Sequence, residues 1–398
     1  MLTYIIDGGK KLEGEVYISG SKNASLPIIA GSILNGSVTR LYNVPNISDT
    51  KITLEILKLL GCRVKKVRDK VEINSKNMNK IEIPEELMNQ MRSTVVMAGA
   101  ILGRFKEVIF SYPGGCEIGA RPIDLHLKAF KKLGIIIEEK GGLIHCKCDK
   151  IYGTDIHLDF PSVGATENII LLTVLSEGTT VITNAAMEPE IVDLAKFLNK
   201  MGAKIEGAGT NVIKITGVKQ LKEVGYKIMS DRIEAGTYLC MAAATHGKIK
   251  LLNAEEEHIA PIIEKLKECG CKIETNKKII ELEAPKRLKA VDIKTMPYPG
   301  FPTDMQSIFG AMLVNAKGTS IIVENIFENR FKYTSELNKM GAKIQTECRT
   351  AVIRGVRKLN ACRVIAGDLR GGAALILAGL IAKRKNTNRK YRICKKRI

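Results

Sequence analysis

Five times along this chain, apolar residues at helical spacing run up to a glycine and a short alternating stretch follows. The segments are LEILKLLGCRV at Gly61, HLKAFKKLGIII at Gly134, LAKFLNKMGAKI at Gly202, IIEKLKECGCKI at Gly270 and SELNKMGAKI at Gly341. Apolar positions three and four apart predict an amphipathic helix, the glycine a left-handed C-terminal cap, and the period of two a half-buried strand. The glycines stand 73, 68, 68 and 71 residues apart, so one supersecondary unit is reused. Two domains of three units predict six in all, and the sixth glycine falls past residue 398. The last unit opens with GGAALILAGLIA and breaks into KRKNTNRKYRICKKRI, so it is expected to be truncated, with a tail that lacks strand alternation. Shifting A-rich codons by one base after Lys383 permits a strand-like string, which makes the tail an expected reading-frame accident.

Between the helices lie the short strands VIFSYP, TVITNA, IKLLNA and SIIVENI, several ending in Asn. They predict sheets with helices packed inside, an α/β repeat rather than a helical bundle. Helix caps are expected at Ser48–Asp49 and at Asp231.

Composition narrows the class. A chain of 398 residues exceeds one ordinary core and predicts two domains, and 45% hydrophobic content excludes a disordered chain. No apolar run approaches the roughly 20 residues of a membrane span, and Asp7 with two lysines interrupts any secretory signal. Ten dispersed cysteines fit a reducing cytosol, so the expectation is a cytoplasmic protein without a disulfide framework. The net charge of +20 invites a nucleic-acid reading, yet nine of the 62 Lys+Arg sit in residues 383–398 with no acid. A moderately basic body equally suits an enzyme of phosphorylated substrates, and no nucleic-acid-reading motif accompanies the charge. No metal site is expected: Cys146, Cys148 and His145, and the pair Cys269 and Cys271, lack zinc-knuckle spacing and alternate as core-facing strand residues do.

Candidate chemistry falls in five segments. In GSKNASLPIIAG, Lys22 and Asn23 follow a strand and open an apolar helix, where free N–H groups and a lysine favour an anion. In YPGGCEIGARPIDLHLKAF, a glycine-rich loop carries Cys116 with Arg121 beside it, a setting that lowers a thiol's pKa. His126, on the following helix, reads as a packing or surface residue. In FPSVGATENIILL, Ser162, Val163 and Gly164 offer backbone groups to a ligand, and a helix is expected to begin immediately after them. In YPGFPTDMQSIFG, a turn places Asp304 at a helix start; in FENRFKY and GDLRGGAALILAG, Arg330 and Arg370 suit bidentate recognition of carboxylate and phosphate. Taken alone, each has a plainer reading as a solvated lysine, a small loop residue or a charge suited to the helix dipole.

Together these blocks resemble the UDP-N-acetylglucosamine 1-carboxyvinyltransferase family. GSKNASLP, PGGCEIGARPIDLH, PSVGATEN, AAMEPEIVDLAKFLNKMGAKIEGAGT, DRIEAGTY, PGFPTDMQ, FENRF and DLRGGAAL stand in family order, up to about Ala382. The Cys-containing loop separates this family from the related shikimate-pathway enolpyruvyl transferase. The resemblance implies an inside-out α/β barrel of two similar domains, each of three repeated β/α units. One domain would be discontinuous, residues 1–21 plus 230–398, and the other would hold residues 22–229. The implied reaction moves enolpyruvyl from phosphoenolpyruvate to the 3-hydroxyl of UDP-N-acetylglucosamine and releases phosphate, opening peptidoglycan precursor synthesis, with no cofactor.

By matched position, Cys116 would protonate the phosphoenolpyruvate methylene and be the target of fosfomycin, and Asp304 would take the sugar hydroxyl's proton. Lys22, Asn23, Arg121 and Arg370 would bind phosphoenolpyruvate. Arg92, Arg121, Pro122, Ile123, Asp124, Leu125, Ser162, Val163, Gly164, Asp304 and Ile326 would line the nucleotide-sugar pocket. Arg330 and Asp368 would lie near the domain boundary. The family's last unit supplies a further Arg toward phosphoenolpyruvate that the basic tail does not match. The alternative is therefore a catalytically impaired homologue that still binds UDP-N-acetylglucosamine. Removing Asp304 is expected to cost folding no more than about 1 kcal/mol.

Overall fold

A computed structural model describes residues 3–89, 91–112, 123–382 and 392–395. The repeat is visible whole in residues 155–216. Strand Asp155–His157 leads to helix Val163–Thr173, strand Thr179–Thr183, helix Pro189–Lys200 and the strands Lys204–Glu206 and Val212–Thr216. The sheet order places Val212–Thr216 between Lys204–Glu206 and Thr179–Thr183, and Thr179–Thr183 pairs in parallel with Asp155–His157. Alternation explains the sheet: Ile213 and Ile215 are fully buried while Val212 is exposed. Helix Val163–Thr173 buries nine consecutive residues from Ala165 to Thr173, so it lies inside, and its polar residues Thr166, Glu167, Asn168 and Thr173 are buried with the apolar ones.

The same plan recurs over residues 293–354, with helix Thr303–Leu313 inside and strands Thr319–Val323, Thr350–Arg354 and Lys343–Glu347 outside. Two units borrow their first strand from a distant part of the chain. Glu13–Tyr17 pairs in parallel with Lys248–Leu252, and Val224–Lys227 with Val38–Tyr42. Consequently the described residues divide into two compact bodies, one running to Ile18 and resuming at Ser230, the other from Ser19 to Met229. Each has its own hydrophobic core.

Gly61, Gly134, Gly202, Gly270 and Gly341 all carry positive φ, between 82° and 103°, as left-handed helix caps require. The strand-terminal asparagines have a matching reason. Asn43, Asn184 and Asn253 sit at φ 62°, 56° and 60°. Each side-chain amide donates to the carbonyl beyond the neighbouring parallel strand: Ile228 at 3.0 Å, Leu158 at 2.7 Å and Ile18 at 2.9 Å.

Three expectations are corrected. The basic tail does contribute a strand: Arg392–Lys395 pairs in parallel with Arg363–Ala366 and antiparallel with Thr3–Tyr4. Backbone hydrogen bonding needs no apolar alternation, so a cationic segment can pair on both sides, as the middle strand of three. Ser48 is the first residue of helix Ser48–Leu59 and Ile47 its cap, without a side-chain capping bond. Cys269 ends a helix and Cys271 precedes a strand, so their burial comes from the turn around Gly270 rather than from strand alternation.

Candidate active site

In the body from Ser19 to Met229, Lys22 is the first and Asn23 the second residue of helix Lys22–Gly31. Ser21 caps it, accepting from the Ala24 amide at 3.2 Å. Lys22 Nζ lies 2.6 Å from Asp49 Oδ2, and both side chains stay about one quarter exposed, at 24% and 22%. A partly exposed lysine at a helix N-terminus presents the anion-binding combination expected of it, with Asp49 as the partner an incoming anion must displace.

Helix Val163–Thr173 starts two residues earlier than expected, because Ser162 caps it in the same manner, accepting from the Ala165 amide at 3.3 Å. Ile123 is buried, and Asp124 and Leu125 open helix Asp124–Lys132. These two segments are joined by a network that the sequence reading missed. Asn168 donates to the Val95 carbonyl at 3.0 Å and accepts from the Gly99 amide at 2.8 Å, which fixes its amide orientation. Its nitrogen therefore donates to His126 Nδ1 at 2.7 Å, leaving the neutral ring's proton on Nε2. The His126 ring packs against Gly164, where an added Cβ would come within 3.2 Å of Cε1. Glycine lets the helix start approach the ring, which a larger residue would push back by a few tenths of an ångström. His126 is thus the buried tie between residues 123–125 and 162–164, more than a packing residue.

Close by, burial raises the Glu167 carboxyl well above its ordinary range, and Glu190 and Glu188 push it further. Cys116, Arg121 and Pro122 lie outside the described residues, as does the Arg92 side chain, whose backbone forms the 3-10 turn Arg92–Val95.

In the other body, Asp304 sits one residue inside helix Thr303–Leu313. Its Oδ1 accepts from Arg330 Nη2 at 2.6 Å and its Oδ2 from Arg370 Nη2 at 2.8 Å. The Arg330 side chain is only 3% exposed, and it also donates to the Thr303 carbonyl at 3.3 Å. Arg370 is at a helix start capped by Asp368, whose Oδ1 accepts from the Arg370 and Gly371 amides at 3.0 Å. Burial works against the Arg370 charge, but Asp304 and then Asp231 outweigh it, so the guanidinium is held above its usual range. Three residues from separate sequence motifs thus form one half-buried charge cluster. Ile326 belongs to the loop that follows strand Thr319–Val323, with its amide on Glu324 Oε1 at 2.9 Å. No motif pointed to Glu324, which buries completely because a strand end meets a helix start in space.

Relatives decide the family. A protein of Caldanaerobacter subterraneus subsp. tengcongensis named UDP-N-acetylglucosamine 1-carboxyvinyltransferase 2 is 53% identical over 95% of this chain and 91% of its own length. This chain belongs to the UDP-N-acetylglucosamine 1-carboxyvinyltransferase family. Relatives of the same name in Clostridium tetani and, as enzyme 1, in Carboxydothermus hydrogenoformans are 51% and 50% identical over 95% and 96% of the chain. The wider family model, EPSP synthase (3-phosphoshikimate 1-carboxyvinyltransferase), matches residues 6–396. Solved structures agree in fold. The enolpyruvyl transferase NikO from Streptomyces tendae superposes with a TM-score of 0.86 at 20% identity, covering 98% of this chain and 92% of its own. An EPSP synthase from Acinetobacter baumannii gives 0.74 at 17% identity, with 98% and 93% covered. The family's α/β repeat architecture is accordingly that of this chain. Among the described residues no group of three or more His, Cys, Asp and Glu is placed to hold a metal ion, and no helix is long and apolar enough to cross a membrane.

Proposed function

We propose that this chain transfers the enolpyruvyl group of phosphoenolpyruvate to the 3-hydroxyl of UDP-N-acetylglucosamine, releasing phosphate, in the cytoplasm. The observation that carries this reading is the identity of about one half across nearly the whole chain with relatives that bear that name. The Asp304 cluster supports it chemically.

In the proposed reaction the Cys116 thiol gives its proton to the phosphoenolpyruvate methylene carbon, and positive charge develops at the adjacent carbon. The sugar 3-hydroxyl oxygen bonds to that carbon while its proton passes to Asp304. The Cys116 thiolate takes a proton back from the new methyl group while the carbon–oxygen bond to phosphate breaks and phosphate leaves with the bonding pair, which restores the double bond and the thiol. Lys22, Arg121 and Arg370 hold the anionic groups, with Asn23 beside them. Arg92, residues 121–125, Ser162 to Gly164 and Ile326 receive the nucleotide sugar.

The Asp304–Arg370 distance gives the binding step a consequence. A substrate anion docking on Arg370 competes with Asp304 for the same guanidinium. Released from the Arg370 guanidinium, Asp304 becomes a stronger base when the substrate is in place.

Phosphate release measured with both substrates, and with each one omitted, tests the proposal. Release that requires both, with a nucleotide-sugar product heavier by one enolpyruvyl group, supports transfer. Binding of UDP-N-acetylglucosamine with no phosphate released overturns it.

A further inference from the structure

Glu324 follows strand Thr319–Val323 and is 0% exposed. A buried carboxylate needs either a cation or several donors. Among the described residues it is satisfied by four neutral donors. The Thr295 and Thr303 hydroxyls donate at 2.9 Å each, the Ile326 amide at 2.9 Å and the Phe327 amide at 3.2 Å.

Those donors come from three pieces of chain. Thr295 lies just beyond strand Ile293–Lys294, Thr303 opens the helix that carries Asp304, and Ile326 and Phe327 form the following loop. Helix Thr303–Leu313 has no side-chain cap of its own. Its first residue is instead gripped twice, through its hydroxyl by Glu324 and through its carbonyl by Arg330. Thr295 extends the lock by accepting from the Asn325 amide at 2.9 Å and through its carbonyl from the Asn325 side chain at 3.0 Å.

We propose that Glu324 is a positioning residue for the sugar-nucleotide acceptor. It fixes the Ile326 loop against the Asp304 helix start, so that the nucleotide end and the attacking hydroxyl are held at one spacing. The proposal rests on the functional reading above. It adds a residue that touches neither substrate yet sets the distance between two groups that do.

The test measures steady-state phosphate release for Glu324→Ala, Glu324→Gln and Thr303→Val, alone and in the Asp304→Ala background. Glutamine keeps one oxygen for Thr295 and the two amides and turns its nitrogen to the Thr303 hydroxyl, which can accept. It is expected to stay within about threefold of the wild type. Glu324→Ala is expected to raise KM for UDP-N-acetylglucosamine by about tenfold or more and to lower kcat, with KM for phosphoenolpyruvate changed less than about twofold. In the Asp304→Ala background it should lower kcat no further, because it acts through that residue. If Glu324→Ala fails to fold, Thr303→Val decides by the same split between the two KM values. Equal shifts of both KM values, or a loss that multiplies onto Asp304→Ala, overturn the positioning role alone. A wild-type chain that releases no phosphate overturns the functional reading and this inference with it.

Discussion

Asp304 Oδ2 and Arg370 Nη2 are 2.8 Å apart although 66 residues of chain separate them. Neither motif foretells the other, and the pairing joins the candidate base to a candidate substrate cation. It makes Asp304 a member of a charge cluster as well as a helix-terminal residue, and the cost of removing it changes accordingly.

Asp304→Ala leaves the 3%-exposed Arg330 side chain without its carboxylate. The expected loss of stability is about 2–3 kcal/mol, below the full cost of breaking a buried pair because Asp304 itself keeps some solvent contact. This replaces the limit of about 1 kcal/mol argued from the helix start alone. Turnover should fall by about 100-fold or more while UDP-N-acetylglucosamine still binds. Urea unfolding together with phosphate release checks both parts, and near-normal turnover would reduce Asp304 to a structural anchor.

Fosfomycin is expected to alkylate Cys116. Burial pushes the Cys62 thiol up to about 11 and those of Cys146, Cys269 and Cys271 up to about 12, so these stay protonated and shielded. Cys348 is exposed and serves as the internal control, open to iodoacetamide without resembling a site for phosphoenolpyruvate. Peptide mass spectrometry should place the fosfomycin adduct on Cys116 alone. Cys116→Asp should abolish the adduct while keeping a proton donor, and Cys116→Ala should lose the chemistry. An adduct elsewhere with Cys116 intact sinks the assignment.

Two glycine substitutions separate backbone strain from crowding. Gly202 has φ 103° and open space where a Cβ would stand, so Gly202→Ala should cost about 1–2 kcal/mol through conformation alone. At Gly99 the added Cβ would overlap the Asn168 side chain and backbone. Gly99→Ala should therefore cost more, about 3 kcal/mol, as the bond from its amide to Asn168 gives way. Denaturant midpoints rank the two, and the reverse order would refute the packing argument.

Asp193 supplies a pH test. Burial pushes its carboxyl up to about 6, although the Tyr226 hydroxyl at 2.7 Å and the Met229 amide at 3.2 Å favour the charged form. A folded pKa above the unfolded value means that its stabilising contribution is complete below about pH 4 and lost as pH rises through about 6. Asp193→Asn removes this loss. Its stability relative to the wild type should improve between about pH 4 and 7, by up to about 3 kcal/mol, and then level off. A difference that stays flat across that range would show that Asp193 does not titrate as its surroundings require.

Periodicity and caps determined the local units of this protein. Gly61, Gly134, Gly202, Gly270 and Gly341 marked the helix ends because few other residues tolerate positive φ, and Asp231 marked a helix start because unpaired amides need an acceptor. Those constraints act within a few residues, so they are written in the local sequence. Family blocks named the chemistry by likeness. What they did not contain was which units share a strand, or that Glu324 would bury beneath Thr303 and Ile326, or that Asn168 would orient His126. The pairing of Arg392–Lys395 with Thr3–Tyr4 was equally hidden, since the two strands come from opposite ends of the chain. Each of these depends on segments remote in sequence packing until buried polar atoms find partners, a condition that no local pattern records. Tertiary structure alone made Asp304, Arg330 and Arg370 one site.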